Sequence, residues 1–130
     1  MSIVVDTSII IAVLTNEKSK SKLIKITEGE QLLAPASLHW EIGNAFSAMF
    51  KRNRITLTQA KKALDYYSLI PLRLHEVDIS DALDIAKNYS IYAYDAYFLE
   101  CARKYNSPLL TLDQKLIEIA KKMNLKIIEV

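Results

Sequence analysis

Four carboxylates stand where they could act together. Asp6 directly follows the wholly apolar run Ile3-Val4-Val5, and Asp113 directly follows Leu109 to Leu112. Glu41 comes three residues after Leu38 and four before Ala45, which places it on or beside the apolar face of a helix. Asp95 repeats that pattern, with Phe98, Leu99 and Ala102 following on its own face. A carboxylate on an apolar face must be paired, protonated or bound to a metal. Together these acids offer several hard oxygen ligands without a nearby histidine pair, a donor set suited to Mg²⁺ or Mn²⁺. Each also has a structural use. Asp6 and Asp113 can cap the helices that follow them, Asp95 favours the first turn of its helix, and Glu41 can pair with one of 17 basic residues.

The elements that must position these acids alternate along the chain. Ile3 to Val5, Leu32 to Ala34, Leu109 to Leu112 and Ile127 to Val130 predict strands, with Leu72 to Val77 a weaker one. Between them, apolar spacing predicts helices over Ser8 to Leu14, Ser19 to Glu28, Ser37 to Arg52, Thr56 or Thr58 to Ser68, Asp78 or Ser80 to Asn88, Asp95 to Lys104 and Gln114 to Lys122. Ser37 is expected to cap the third of these. Strands separated by helices predict an α/β fold, a parallel sheet covered on both faces with right-handed crossovers. The first strand and the Leu109 strand are the most apolar and are expected at the centre. Sites in such sheets form at the carboxyl ends of strands, which is where Asp6 and Asp113 lie.

The bulk properties set bounds. A chain of 130 residues, 51% hydrophobic and 25% charged, fits one globular domain. It can bury enough surface to fold without a disulfide or a structural zinc. One cysteine, Cys101, excludes an intrachain disulfide and a cysteine-based zinc site. The start of the chain shows no basic leader or cleavage site, and Ile9 to Leu14 is too short to span a membrane, so a soluble, cytoplasmic protein is expected. Net charge is +2, which by itself does not point to nucleic acid. Neither glycine opens a phosphate loop.

The segments Val4-Val5-Asp6-Thr7-Ser8, Glu41 in the third helix, Tyr94-Asp95-Ala96 and Thr111-Leu112-Asp113 resemble, in their order and in the length of chain they span, the motifs of PIN-domain ribonucleases, especially the small VapC-like toxins. The resemblance spans residues 1–130 as a single PIN-like nuclease domain. It implies a three-layer α/β/α sandwich around a central five-stranded parallel sheet of order 3-2-1-4-5. It implies Mg²⁺- or Mn²⁺-dependent hydrolysis of RNA, products with a 5′-phosphate and a 3′-hydroxyl, a homodimer and a cognate antitoxin protein as partner. Catalytic and metal-binding roles carry over to Asp6, Glu41, Asp95 and Asp113, and supporting hydrogen bonds to Ser8 and Thr111. Tyr97 and Phe98 are bulkier than the residues usual at those places.

The chemistry expected is in-line attack of a metal-activated water on a phosphodiester, with no side chain required as general base. Asp6, Asp95 and Asp113 are expected closest to the metal, and Glu41 to act directly or through water. RNA contact is assigned to Lys51, Arg52 and Arg54 at a helix end and to Lys115 near Asp113; singly, each also fits a solvated surface. Tyr89, Tyr92, Tyr94 and Tyr97 fit a core or dimer interface better than base stacking. Trp40 is assigned to packing, and His39, His75 and Cys101 receive no role. Three other classes compete. An aspartyl phosphatase would need a second Asp where Ser8 stands, and a cation-dependent adhesion module would need Ser where Ile10 stands. A catalytically idle metal-binding or regulatory module is separated from a nuclease by metal-dependent RNA cleavage, and a housekeeping RNA-processing PIN nuclease from a toxin by whether a short DNA-binding partner is encoded in the neighbouring reading frame.

Overall fold

A computed structural model describes residues 1–130. The elements run β1 (Ser2–Val5), α1 (Thr7–Leu14), α2 (Lys20–Thr27), β2 (Gln31–Pro35), α3 (Leu38–Lys51), α4 (Leu57–Tyr67), β3 (Leu72–His75), α5 (Ile79–Tyr89), α6 (Ala93–Lys104), β4 (Leu109–Leu110) and α7 (Gln114–Lys122). The four strands are parallel, in the order β3-β2-β1-β4. Ile3, Val4 and Val5 point alternately to the two faces of the sheet and are all buried, so helices cover both faces. Each such side chain contributes roughly 1.5–3 kcal/mol of burial. Helix α6 packs across β1, β2 and β4, and α1 gathers α2, α3 and α4 around it. No helix is long and apolar enough to cross a membrane.

The order of the four strands matches the expectation, but the fifth strand does not form, which leaves β4 at the edge of the sheet and not at its centre as expected. Ile127 makes only an isolated parallel bridge to Leu109, on the side of β4 away from β1. The reason lies in β4 itself. Leu112, expected in that strand, turns its N–H to the Ser8 hydroxyl at 3.0 Å. The ladder therefore ends at Leu110, and the C-terminal segment finds one residue to pair with. Edge strand β3 likewise stops at His75, short of Val77.

Helix starts differ in detail. Asp78 caps α5, and Thr56 caps α4 in a reciprocal capping box with Gln59. Ser37 does not cap α3: its backbone is already helical and its hydroxyl turns toward Glu41. Helix α6 begins at Ala93, two residues before Asp95, which occupies the first turn without capping it. Asp95 is thus free of any backbone duty.

Candidate active site

Asp6 ends β1 and caps α1, its Oδ1 accepting from Ile9 N at 3.3 Å and from the Ser8 hydroxyl at 2.6 Å. Its Oδ2 accepts a short hydrogen bond from the Thr111 hydroxyl. Thr111 Oγ1 in turn accepts from Asp113 N at 3.0 Å. Ser8 and Thr111 each spend their single hydroxyl proton on Asp6, so their 3.4 Å approach to one another adds no further bond. These two hydroxyls lock the β1–α1 turn to the β4–α7 turn and fix the Asp6 carboxylate between them.

The other three acids keep oxygens free. Asp113 caps α7 through Oδ1, accepting from Lys115 N at 2.9 Å and Leu116 N at 3.3 Å, and its Oδ2 is unengaged. Glu41 receives only the distant Ser37 hydroxyl, at 3.5 Å. Asp95 accepts no hydrogen bond, and none of the four acids has a basic side chain within ion-pairing distance.

Their charges act on one another around a closed ring. Burial raises the Asp6 carboxyl above its ordinary range despite its three donors, and the Asp113 charge adds to the rise. Burial pushes Glu41 up to about 7, helped by the charges of Asp95 and then Asp6. Asp95 is raised by burial and by Asp113, and lowered by Lys115. The Thr7 hydroxyl favours the Glu41 anion, yet Thr7 Oγ1 is buried with no partner within hydrogen-bonding distance.

The structure thus brings Asp6, Glu41, Asp95 and Asp113 together at the carboxyl edge of β1 and β4, with Ser8 and Thr111 beneath Asp6. Lys115 reaches the same edge. Lys51, Arg52 and Arg54 do not: they sit at the far end of α3, and ten residues of helix separate Lys51 from Glu41, roughly 15 Å. As placed, no three of the acids close on one point as a finished metal cage. Their chemistry nevertheless fits a divalent cation, being all oxygen, mutually repelling and unneutralised.

Two aromatic residues at the edge are not packed as the sequence suggests. Trp40, assigned there to packing, is 75% exposed, and Tyr94 is 57% exposed. Both line a cleft of about 460 Å³ that contains Glu41. A larger cleft, about 540 Å³, lies between the end of α1 and α4, remote from the acids.

A sequence model of the PIN domain matches residues 3–122. The chain belongs to the PIN-domain family. Ribonuclease VapC3 of Pyrobaculum aerophilum is 24% identical to this PIN domain over 123 residues, covering 91% of this chain and 94% of the relative. Three crystal structures share the fold. PAE2754 from Pyrobaculum aerophilum aligns with a TM-score of 0.74 at 23% identity, over 98% of this chain and 83% of the other. VapBC2 from Rickettsia felis, bound to a DNA fragment from its promoter, aligns at 0.68 and 15% identity, over 98% of both chains. VapC20 from Mycobacterium tuberculosis, a toxin that cleaves the sarcin–ricin loop, aligns at 0.63 and 14% identity, over 89% of this chain and 93% of the other.

Proposed function

We propose that this PIN domain is a divalent-metal-dependent ribonuclease whose active site is formed by Asp6, Glu41, Asp95 and Asp113. The observation that carries the reading is the ring of four mutually repelling carboxylates, with no basic side chain paired to them, at the edge where β1 and β4 end. The free oxygens of Asp95 and Asp113, with Asp6 Oδ2, would hold Mg²⁺ or Mn²⁺, and Glu41 would act directly or through water. When bound, such an ion supplies a water of lowered pKa and neutralises charge on the scissile phosphate. The protein's part is positioning. Ser8 and Thr111 hold Asp6 rigid, while the α7 N-terminus orients Asp113 so that one oxygen faces the site. Lys115 adds positive charge for the RNA backbone at the same edge.

The names of the relatives, a ribonuclease, a VapBC2 complex and a toxin, support extending the reading to the toxin of a toxin–antitoxin pair; a homodimer and an antitoxin partner are what the family resemblance implies. A small DNA-binding protein encoded in the adjacent reading frame, copurifying with this chain, is the expected sign of that partner. The nuclease itself is tested with purified protein and single-stranded RNA. Cleavage should require Mg²⁺ or Mn²⁺ and stop with EDTA. Asp6→Asn, Asp95→Asn and Asp113→Asn should each reduce it by about 10²–10³-fold, the effect of several kcal/mol of lost charge stabilisation. Wild-type cleavage by Asp6→Asn with Mg²⁺ present would overturn this mechanism.

A further inference from the structure

The cleft beside Glu41 has a composition that the acid chemistry does not require. Trp40 and Tyr94 stand on different helices, α3 and α6, each immediately next to a proposed acid ligand, Glu41 and Asp95. Their exposure is too large for packing to explain. Both are braced from the side by a second ring. His39 meets Trp40 edge-on at 5.1 Å and 77°, and itself contacts the Tyr67 hydroxyl at 3.3 Å, while Tyr97 meets Tyr94 at 5.9 Å and 88°. Asn44, one helical turn after Trp40 and Glu41, lines the same cleft, and its exposed side-chain amide makes no hydrogen bond within the protein. Thr7, whose hydroxyl is buried, lines it as well.

The geometry points to a nucleobase subsite: one unpaired base of an RNA strand stacks on Trp40 or Tyr94 and meets the Asn44 amide along its edge, beside the acid site. Every base has a face that an aromatic ring can stack on, whereas an amide, carrying both donor and acceptor, can discriminate among base edges. A base reaches such a cleft only when it is out of a duplex, so the favoured substrate is a single-stranded or looped region. At about 460 Å³ the cleft has room for a base together with its sugar, so it can take a nucleotide of the strand next to the scissile phosphate. The inference rests on the ribonuclease reading above.

Trp40 is the sole tryptophan, so its fluorescence reports on this cleft alone. The experiment titrates the full chain, in EDTA to prevent cleavage, with a short fluorophore-free oligouridylate and with an abasic ribose-phosphate strand of the same length. A second titration follows anisotropy of end-labelled versions. The oligouridylate should quench Trp40, and the abasic strand of equal charge should not. Trp40→Ala should raise Kd by roughly 5- to 100-fold, the range for one lost base stack, and Trp40→Phe should recover part of it. Asn44→Ala should change the order of Kd among the four homo-oligomers. Because Trp40 is exposed, Trp40→Ala should fold, which its melting temperature checks. RNA binding by anisotropy without quenching, with Trp40→Ala at wild-type Kd, would overturn the subsite and leave the nuclease standing. Sedimentation showing that Trp40→Ala dissolves a dimer while RNA affinity is unchanged would overturn it in favour of a dimer contact. Absence of both binding and metal-dependent cleavage would remove the nuclease reading and the subsite together.

Discussion

Two carboxylates are buried to nearly the same depth in this molecule, Glu100 at 1% exposure and Asp6 at 5%, and their surroundings are opposite. Glu100 lies in the middle of α6, and Arg103, one turn on, grips both its oxygens at 2.6 Å. Arg103 also leans toward Asp81 on α5 at 3.9 Å. Asp6 is held by two hydroxyls and one amide, all neutral, and its charged neighbours are other acids. The first arrangement completes its own charge balance and needs nothing further. The second satisfies hydrogen bonds but leaves net negative charge, which only a cation from outside can neutralise. Burial alone therefore does not separate a structural acid from a functional one; the sign of what surrounds it does.

The largest effect that tests this contrast comes from stripping each acid of its partner or its charge. Arg103→Ala leaves Glu100 buried without a counter-ion. It should destabilise the protein by about 2–3 kcal/mol and lower Tm by roughly 10 °C, with cleavage per folded molecule unchanged. Asp6→Asn should do the reverse. In EDTA it should melt at or above wild type, because it removes one of four repelling charges and Asn still caps a helix, while its cleavage is lost. Thermal melting of both variants beside an RNA cleavage assay reads the comparison. Equal destabilisation by the two changes would erase the distinction.

A smaller effect sharpens it through pH. Glu41 has a carboxyl raised from 4.5 to about 7 in the folded protein, so the folded state binds that proton more tightly than the unfolded chain. The associated stability is fully present below about pH 4.5 and is lost as pH rises through 7. Asp6 and Asp95, also raised, act in the same direction. Metal-free protein should therefore gain stability as pH falls from 7.5 to 5. Discounted for the partial exposure of Glu41, the gain is on the order of 1 kcal/mol. Glu41→Gln should flatten most of this slope. Melting curves in EDTA across that range measure it, and a slope of opposite sign in wild type would show that burial and mutual repulsion do not hold these carboxyls up as described.

Much of the edge was legible in the residues. Asp6 and Asp113 were marked by the apolar runs before them, and Glu41 and Asp95 by their place among apolar helix positions. The missing fifth strand was not legible, because the length of β4 depends on the Leu112 N–H choosing Ser8, a contact 104 residues apart in sequence. Other features carry local signals in the sequence. The buried residues of α3 are Leu38, Ile42 and Phe46, and Trp40 lies two positions off that stripe, about 200° around the helix from Leu38. Glu100 and Arg103 carry the i, i+3 spacing of a helical ion pair. Counting residues along α3 likewise separates Lys51, Arg52 and Arg54 from Glu41. Their placement near the acids relied on charge alone.

The central claim is that this acid edge takes a divalent cation, and thermal melting of the wild type with and without Mg²⁺ or Mn²⁺, at fixed ionic strength and neutral pH, tests it most directly. An ion that binds only the folded protein stabilises it by mass action. With Kd near ~1 mM and ~10 mM ion the gain is about 1.4 kcal/mol, raising Tm by roughly a few degrees, and Asp6→Asn should show little or none of that rise. A wild type whose Tm does not move with either ion up to high millimolar concentrations, or a rise that Asp6→Asn keeps in full, would contradict it.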